Sequence, residues 1–149
     1  MDPSLRSLIL ELLQRHNILT LATLREDGWP QATTVAYAND HMTIYVATGA
    51  DAQKVRNIRR DHRVSLTIDH DTPDWNRIQG LSMAATAETV TSLSEIHHAT
   101  GLLKKKFPAL LEFGDPEQQR GWAFLKITPR IVSVIDYTKG FGHTLLLKL

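Results

Sequence analysis

The sequence predicts a protein that is mainly β with α additions, a small antiparallel barrel of six to seven strands with peripheral helices. Three observations support this fold class. Most segments between turn signals alternate apolar and polar residues with a period of two, which is typical of strands that bury one face. Turns rich in Gly, Asn and Asp join many of these segments, so adjacent strands pair antiparallel. Three segments with helical character interrupt the strands, and they fit helices packed around a barrel.

The first 50 residues contain a helix and three strands. Leu5, Leu8 and Leu12 recur at helical spacing behind Asp2, which is a good N-cap residue. From residue 18 the alternation changes to a period of two, and Asp27 with Gly28 supplies a hairpin turn. We expect the three strands to pair in sequence order as a meander. They cover residues 18–24, 31–37 and 42–47.

The remaining residues alternate two helices with longer strands. Ser92 and Glu95 form a capping-box pattern at the start of the second long helix. Gly80 lies inside a long strand, where glycine marks a bend or bulge. Pro129 divides the last apolar region into two strands. The helices cover 53–60 and about 92–107, and the strands cover 63–69, 78–91, 122–128 and 130–136.

Length, charge and cysteine content exclude several classes of protein. With 149 residues we expect a single domain over residues 1–149. The formal net charge of +1 is too small for nucleic-acid binding by bulk electrostatics. The sequence has no cysteine, which removes disulfides, thiolate metal sites and cysteine nucleophiles. The sequence begins Met1-Asp2-Pro3 without a basic flank or a continuous apolar stretch, and no window approaches the roughly 18 apolar residues of a membrane span, so we expect a cytoplasmic protein without membrane contact.

The most informative segment is the strand-to-helix corner at residues 48–58. Its strand ends in Thr48, and the next helix opens with Gln53 and Lys54 in the first turn. Free backbone amides, the positive end of the helix dipole and a cation meet there, which is the chemistry of a phosphate site. Thr48, Gln53 and Lys54 are therefore candidate ligands. The basic residues of this segment also fit a solvated helix face, and spacing alone does not decide between the two interpretations.

Several segments together resemble a known family. They are the leading helix, the turn at residues 27–30, the strand at 32–35, the corner at 48–57, the strand at 63–69 and the strand with Gly80. In this order they are similar to the flavin-binding split barrels related to pyridoxamine 5'-phosphate oxidase, in the short branch that resembles general stress proteins. The resemblance implies a split barrel that binds FMN, with Lys54 as the phosphate cation. Ala52 replaces a hydroxyl residue that is frequent in the family, so the phosphate loses one donor.

The resemblance also implies where the flavin ring and a second subunit lie. The strand that carries Thr33, Thr34 and Val35 would follow the isoalloxazine ring. Gly80 and Ser82 would approach the flavin of the partner chain. A homodimer with flavin sites at the subunit interface is therefore implied.

The expected function is FMN-binding oxidoreduction of an unidentified small molecule. The C-terminal segment 139–144 lacks the arginine-and-histidine substrate motif of true pyridoxamine phosphate oxidases, so that reaction is not expected. One alternative is a deazaflavin-dependent reductase on the same fold. Another is a protein that binds flavin or haem without catalysis. Since a flavin carries its own hydride chemistry, few catalytic side chains are needed, and we assign none.

The other polar and aromatic residues give weaker indications. The seven histidines lack a metal-binding spacing, and the acidic cluster near His70 is more typical of a loop, so we expect no metal site. Trp75 and Phe141 lie near turn residues and are candidates for lining a pocket. His143 has the chemistry of a proton donor, but its glycine-rich surroundings fit a surface tail equally well.

Overall fold

The structure, a computed structural model, describes residues 2–115 and 121–149. The helices in these residues are α1 (Pro3–Arg15), α2 (Gln53–Arg60) and α3 (Leu93–Lys106). The strands are β1 (Ile18–Leu24), β2 (Pro30–Ala36), β3 (Ala38–Asp40), β4 (Thr43–Gly49), β5 (Arg63–Asp69), β6 (Gln79–Thr89), β7 (Trp122–Asp136) and β8 (Thr144–Lys148). Short 3-10 helices cover Trp75–Arg77, Pro108–Phe113 and Tyr137–Lys139. None of the described helices has the length and apolar character needed to cross a bilayer.

The described strands form one antiparallel sheet that curls into a split barrel. Their order is β2, β1, β5, β6, β7, β4 and β3. The first half of β7 pairs with β4 and the second half with β8, so the sheet divides along this strand. β2 comes within 8 Å of β4 between Cα atoms, which brings the two ends of the sheet together. The predicted fold class is confirmed, with eight strands in place of six to seven.

The barrel core combines inward strand residues with one face of α1 and one of α2. β5 buries every second side chain, as its alternation predicts. α1 adds Ile9, Leu12 and Leu13, and α2 adds Val55 and Ile58, all at most 3% exposed. Each fully buried aliphatic side chain contributes roughly 1.5–3 kcal/mol. This packing holds α2 in place, because an eight-residue helix is too short to be stable alone.

Lys106 connects the end of α3 to the end of α1. Its Nζ donates to the carbonyl oxygen of His16 at 2.5 Å and lies 3.9 Å from the centroid of the Tyr37 ring. The Tyr37 hydroxyl donates to the carbonyl oxygen of Leu13 at 2.6 Å. Burial lowers the pKa of Lys106 to about 8. A lysine from another helix thus satisfies carbonyl groups that the last turn of α1 leaves open.

The predicted three-strand meander is wrong at its third strand. β1 and β2 form the expected hairpin, but β4 pairs with β7 and with the short strand β3. Tyr37 is fully buried and separates β2 from β3, and the β3–β4 hairpin turns at His41, which has a φ of 51°. Both faces of β4 contain buried residues, so the strand lies in the middle of the packing. Alternation identifies such a strand but does not identify a partner whose paired residues are 73 to 83 positions away.

The predicted break at Pro129 is also wrong, because β7 continues through it. Ala84 pairs with Ile131 and Ala85 pairs with Pro129, so Arg130 is an extra residue at a bulge. A bulge tolerates proline because the ladder is interrupted there. The bend therefore lies at the β6–β7 register shift and not at Gly80, where the pairing with β5 and β7 is regular.

Gly80 is required by a close approach between strands. A Cβ atom at this position would lie 2.6 Å from the backbone carbonyl oxygen of Ile68, and a backbone atom in a central strand has little freedom to move. We expect Gly80→Ala to lower the free energy of unfolding by about 1–3 kcal/mol, measured by urea denaturation. Gly101→Ala is the control, since nothing lies within 4 Å of its Cβ position in α3. That change is expected to stabilise the protein slightly, and an equal loss in both variants would contradict this explanation.

β8 was not predicted from the sequence. The strand pairs with residues 131–135 of β7, and four of its five residues are exposed. The backbone amide of Asp136 donates to the carbonyl oxygen of His143, and the amide of Leu149 donates to that of Arg130. Because Thr144–Lys148 contains three consecutive leucines without alternation, its periodicity gave no strand signal.

Candidate functional site

The strand-to-helix corner at the end of β4 leaves the start of α2 without a side-chain cap. The N-cap residue is Ala52, and no side chain bonds to the first-turn amides. The chain before it is fixed by its backbone, since the amide of Ala50 donates to the carbonyl oxygen of Gly121 at 2.7 Å. Uncapped amides at the positive end of a helix form a site for an anion.

Two cations lie beside these amides. Lys54 is half-buried and has no ion pair with any of the described residues. The guanidinium of Arg56 turns back toward the helix start, where it donates to the carbonyl oxygen of Asp51 at 2.5 Å and to Oε1 of Gln53 at 2.7 Å. Cations in the first turn oppose the helix dipole, so an anion bound there would relieve an unfavourable charge arrangement.

The side chain of Gln53 is already used within the protein. Its Nε2 donates at 2.8 Å to Oδ1 of Asn57, which is fully buried. Asn57 in turn donates to Oγ1 of Thr23 at 3.0 Å and lies 3.5 Å from Oε1 of Gln31. This buried network attaches α2 to β1 and β2 and fixes the direction of the helix. Asn57 was not among the predicted site residues, although its place on the apolar face of α2, four residues after Gln53, was a signal for it.

The three candidates in β2 do not share a face. Thr33 and Val35 point into the barrel, opposite Leu21 and Leu19 of β1, whereas Thr34 is exposed on the outer face. The Thr33 Oγ1 is buried and has no hydrogen-bond partner among the described residues. Side chains of three successive strand residues cannot contact one ring together. A ligand that contacted all three residues would therefore need their backbone groups, with side-chain contacts from one face of the strand only.

A row of hydroxyl residues crosses the outer face of the sheet at right angles to the strands. The pairing runs from Thr34 to Thr20, Thr67, Ser82 and Ser133, one residue from each of five neighbouring strands. We call these five residues the hydroxyl row. Thr34, Thr20 and Thr67 are exposed, and the two serines are partly exposed.

The hydroxyl row places Ser82 on the same face as Thr34 but three strands away. At roughly 4.8 Å per strand the separation is about 14 Å. Gly80 shares this face, two residues before Ser82 in β6. Within one chain the structure therefore keeps Ser82 apart from the β2 candidates.

A cavity of about 410 Å³ opens on the outer face beside the hydroxyl row. Arg63 and Arg130 stand at its sides, and both were outside the predicted site. Arg63 pairs with Asp61 at 2.7 Å and holds the pKa of that carboxyl below its usual value. Arg130 donates to Oγ1 of Thr86 at 3.3 Å. These guanidinium groups add positive charge to the face that carries Ser82.

The two aromatic candidates from the sequence are in contact with each other. Trp75 stacks on Phe141 with 5.6 Å between ring centroids, and Tyr137 lies 5.4 Å from Phe141.

His143 lines a separate cavity of about 280 Å³, and its Nε2 is buried without a hydrogen-bond partner among the described residues. In the described parts of the chain, no three His, Asp or Glu side chains come close enough to hold a metal ion.

Comparisons with known proteins agree with this architecture. A family model described as pyridoxamine 5'-phosphate oxidase matches residues 5–136. A heme binding protein from Mycobacterium smegmatis is 19% identical with a TM-score of 0.82, covering 99% of this chain and 59% of its own. A putative pyridoxamine 5'-phosphate oxidase from Listeria innocua is 21% identical with a TM-score of 0.74, covering 89% and 98%. The general stress protein 26 of Bacillus anthracis is 19% identical with a TM-score of 0.73, covering 97% and 98%.

Proposed function

The chain belongs to the pyridoxamine 5'-phosphate oxidase family, and from this premise we propose that it is an FMN-dependent oxidoreductase acting on a small molecule. The observation that carries the proposal is the uncapped start of α2 beside Lys54. Backbone amides and a lysine without an ion pair among the described residues are the donors that a phosphate group requires. When bound, FMN supplies hydride chemistry through its own ring.

The phosphate of FMN fits the residues of the α2 corner. Lys54 provides the positive charge, and the first-turn amides provide the hydrogen bonds. Because Ala52 has no hydroxyl, these amides replace the side-chain donor that is frequent in the family. Gln53 contributes its backbone amide, since its side-chain amide is held by Asn57 and Arg56.

The ring of FMN fits the free edge of β2. In the described residues β2 pairs only with β1, so its other edge keeps unpaired backbone donors and acceptors. These groups of residues 33–35 match the polar edge of an isoalloxazine ring. Thr34 adds a hydroxyl on the outer face, next to small residues that leave room for a flat ligand.

A second copy of the chain completes the site in this proposal. The outer face of β1, β2, β5 and β6 is rich in small residues, and none of the described helices packs on it. α1 and α2 pack on the barrel core, and α3 packs against buried residues of β3, β4 and β7. Two such faces packed by a two-fold axis would place Gly80 and Ser82 of each copy near β2 of the other. The separation of about 14 Å within one chain would then be bridged by the partner.

Haem binding is the second candidate function. The structure of a heme binding protein has the same fold with a TM-score of 0.82. His16 and His70 stack with 5.6 Å between ring centroids, and imidazole is a common haem ligand. FMN remains the first candidate, because the donors at the α2 corner match a phosphate. A deazaflavin cofactor would use the same corner and would need further cations for its longer tail.

Reconstitution with cofactors tests the proposal. We expect the purified chain to bind FMN with a flavin absorption spectrum and to release it on heating, and NADH or NADPH to reduce the bound flavin in stopped-flow measurements. A Soret band after incubation with haemin, together with no FMN binding, would favour haem. Tight FMN binding without reduction by either nicotinamide, while dithionite reduces the flavin, would replace oxidoreduction by flavin storage or sensing.

A further inference from the structure

A second polar cavity lies at the other end of β1 from the α2 corner. It has a volume of about 450 Å³, within the usual range for small-molecule sites. Four of its six lining residues are basic and none is acidic. The lining residues are Arg15, His16, His70, Arg77, Gln79 and Thr138.

The two arginines keep most of their hydrogen-bonding capacity for a ligand. Arg15 donates to Oε1 of Gln79 at 3.0 Å, which holds the guanidinium at the cavity. Its contact with Glu11 is 3.5 Å long, and the contact of Arg77 with Asp74 is 3.7 Å long. Both pairs are exposed and of little strength. The guanidinium groups therefore remain available to a carboxylate or phosphate group, which they bind in bidentate geometry.

The two histidines at the cavity contact each other. Nδ1 of His16 donates to the carbonyl oxygen of Leu12 at 2.8 Å, so its Nε2 is an acceptor when the ring is neutral. His70 Nδ1 lies 3.4 Å from this Nε2, so His70 Nδ1 is then the donor of the hydrogen bond between the two rings.

An exposed aromatic surface adjoins the cavity. Trp75 and Phe141 stack at an angle of 18° and are 64% and 71% exposed. Trp75 belongs to the same 3-10 helix as Arg77, and Tyr137 precedes Thr138 in another. The Tyr137 amide donates to the carbonyl oxygen of Ile78 at 2.9 Å, which joins the two turns. Large aromatic faces open to water are typical of surfaces that bind a ligand or partner.

We propose that this cavity and the Trp75–Phe141 surface form a binding site for a planar aromatic molecule that carries an anionic group. The anion lies between Arg15 and Arg77, and the ring stacks on the exposed face of the aromatic pair. Arg77 and Trp75 belong to one 3-10 helix and are two residues apart, so the anion position and the aromatic surface adjoin there. The site is separate from the α2 corner and does not depend on FMN binding.

Calorimetric titration of the cofactor-free chain with 2-naphthoate tests the site. We expect 2-naphthoate to bind, and both acetate and 2-naphthylmethanol to bind at least tenfold more weakly, because each lacks one of the two recognised groups. Arg77→Gln and Trp75→Ala are each expected to weaken 2-naphthoate binding about tenfold. Both residues are exposed, so the folded state is retained.

Matched substitutions elsewhere on the surface are the controls. Arg6 is an exposed arginine outside the cavity, and Trp29 is a tryptophan that is 72% exposed in the β1–β2 turn. We expect Arg6→Gln and Trp29→Ala to leave the affinity for 2-naphthoate within twofold of the unmodified chain. The proposal is overturned if 2-naphthoate does not bind, if the control variants lose as much affinity as the site variants, or if 2-naphthylmethanol binds as tightly as 2-naphthoate.

Discussion

Replacing Lys54 by methionine is expected to weaken FMN binding roughly 10- to 150-fold, which corresponds to a loss of about 1.5–3 kcal/mol. Methionine keeps an unbranched stem and removes only the charge, so the half-buried position stays filled. The physical reason is the loss of a charge-assisted contact at a helix start that Ala52 leaves without a side-chain cap. Fluorescence titration of the cofactor-free protein with FMN measures the effect.

Two comparisons make the Lys54 result specific. Lys105→Met, in the exposed last turn of α3, is expected to leave FMN affinity unchanged. Riboflavin lacks the phosphate, so its affinity is expected to be nearly equal in the Lys54→Met variant and the unmodified chain. An unchanged FMN affinity in Lys54→Met, or an equal loss for riboflavin, would remove Lys54 from the phosphate site.

Local patterns predicted the elements of this fold well. β1, α2 and β5 begin and end where periodicity and turn residues place them. Ser92 caps α3 as expected, since its Oγ accepts the Glu95 amide at 3.4 Å. These features depend on residues within one turn or one strand, and such short-range signals are visible in a sequence.

Long-range pairing was not visible in the same way. The partner of β4 is β7, and the extra residue of the bulge is Arg130 on a strand that Pro129 was expected to end. Lys106 is one of three consecutive lysines at the end of α3, yet it donates to the carbonyl oxygen of His16 at the end of α1, 90 residues away in the sequence. Each of these contacts is set by how the sheet closes, and alternation carries no information about closure.

The candidate site was predicted in part for the same reason. The sequence located the α2 corner because strand, glycine, amides and lysine are neighbours along the chain. It did not show that Asn57 holds the Gln53 side chain or that Ser82 lies three strands from Thr34. The position of Ser82 follows from the order and register of the strands. This separation is also the reason that a second subunit is required if Ser82 is to reach a flavin at β2.

Placing an arginine in the hydroxyl row is expected to abolish both dimer formation and FMN binding. Thr67 is exposed at the centre of the row, so Thr67→Arg leaves the folded monomer intact. A two-fold axis through this face would bring two arginines together. The free-energy cost of burying two like charges without partners exceeds the free energy gained from a small interface. Sedimentation of the unmodified chain at micromolar concentration is expected to give twice the mass of the 16.8 kDa chain, and the variant the mass of one chain.

The prediction links dimer formation to FMN binding, and two control variants distinguish this link from a general effect of surface charge. Thr67→Ser keeps the hydroxyl and is expected to remain dimeric and to bind FMN normally. Thr91→Arg introduces the same charge at an exposed position between β6 and α3 and is expected to change neither property. Because Gly80 and Ser82 can reach β2 only from a second copy, a monomeric Thr67→Arg protein that binds FMN as tightly as the unmodified chain would show that one chain holds the flavin alone. A Thr67→Arg protein that remains dimeric would show that the two copies meet through another surface.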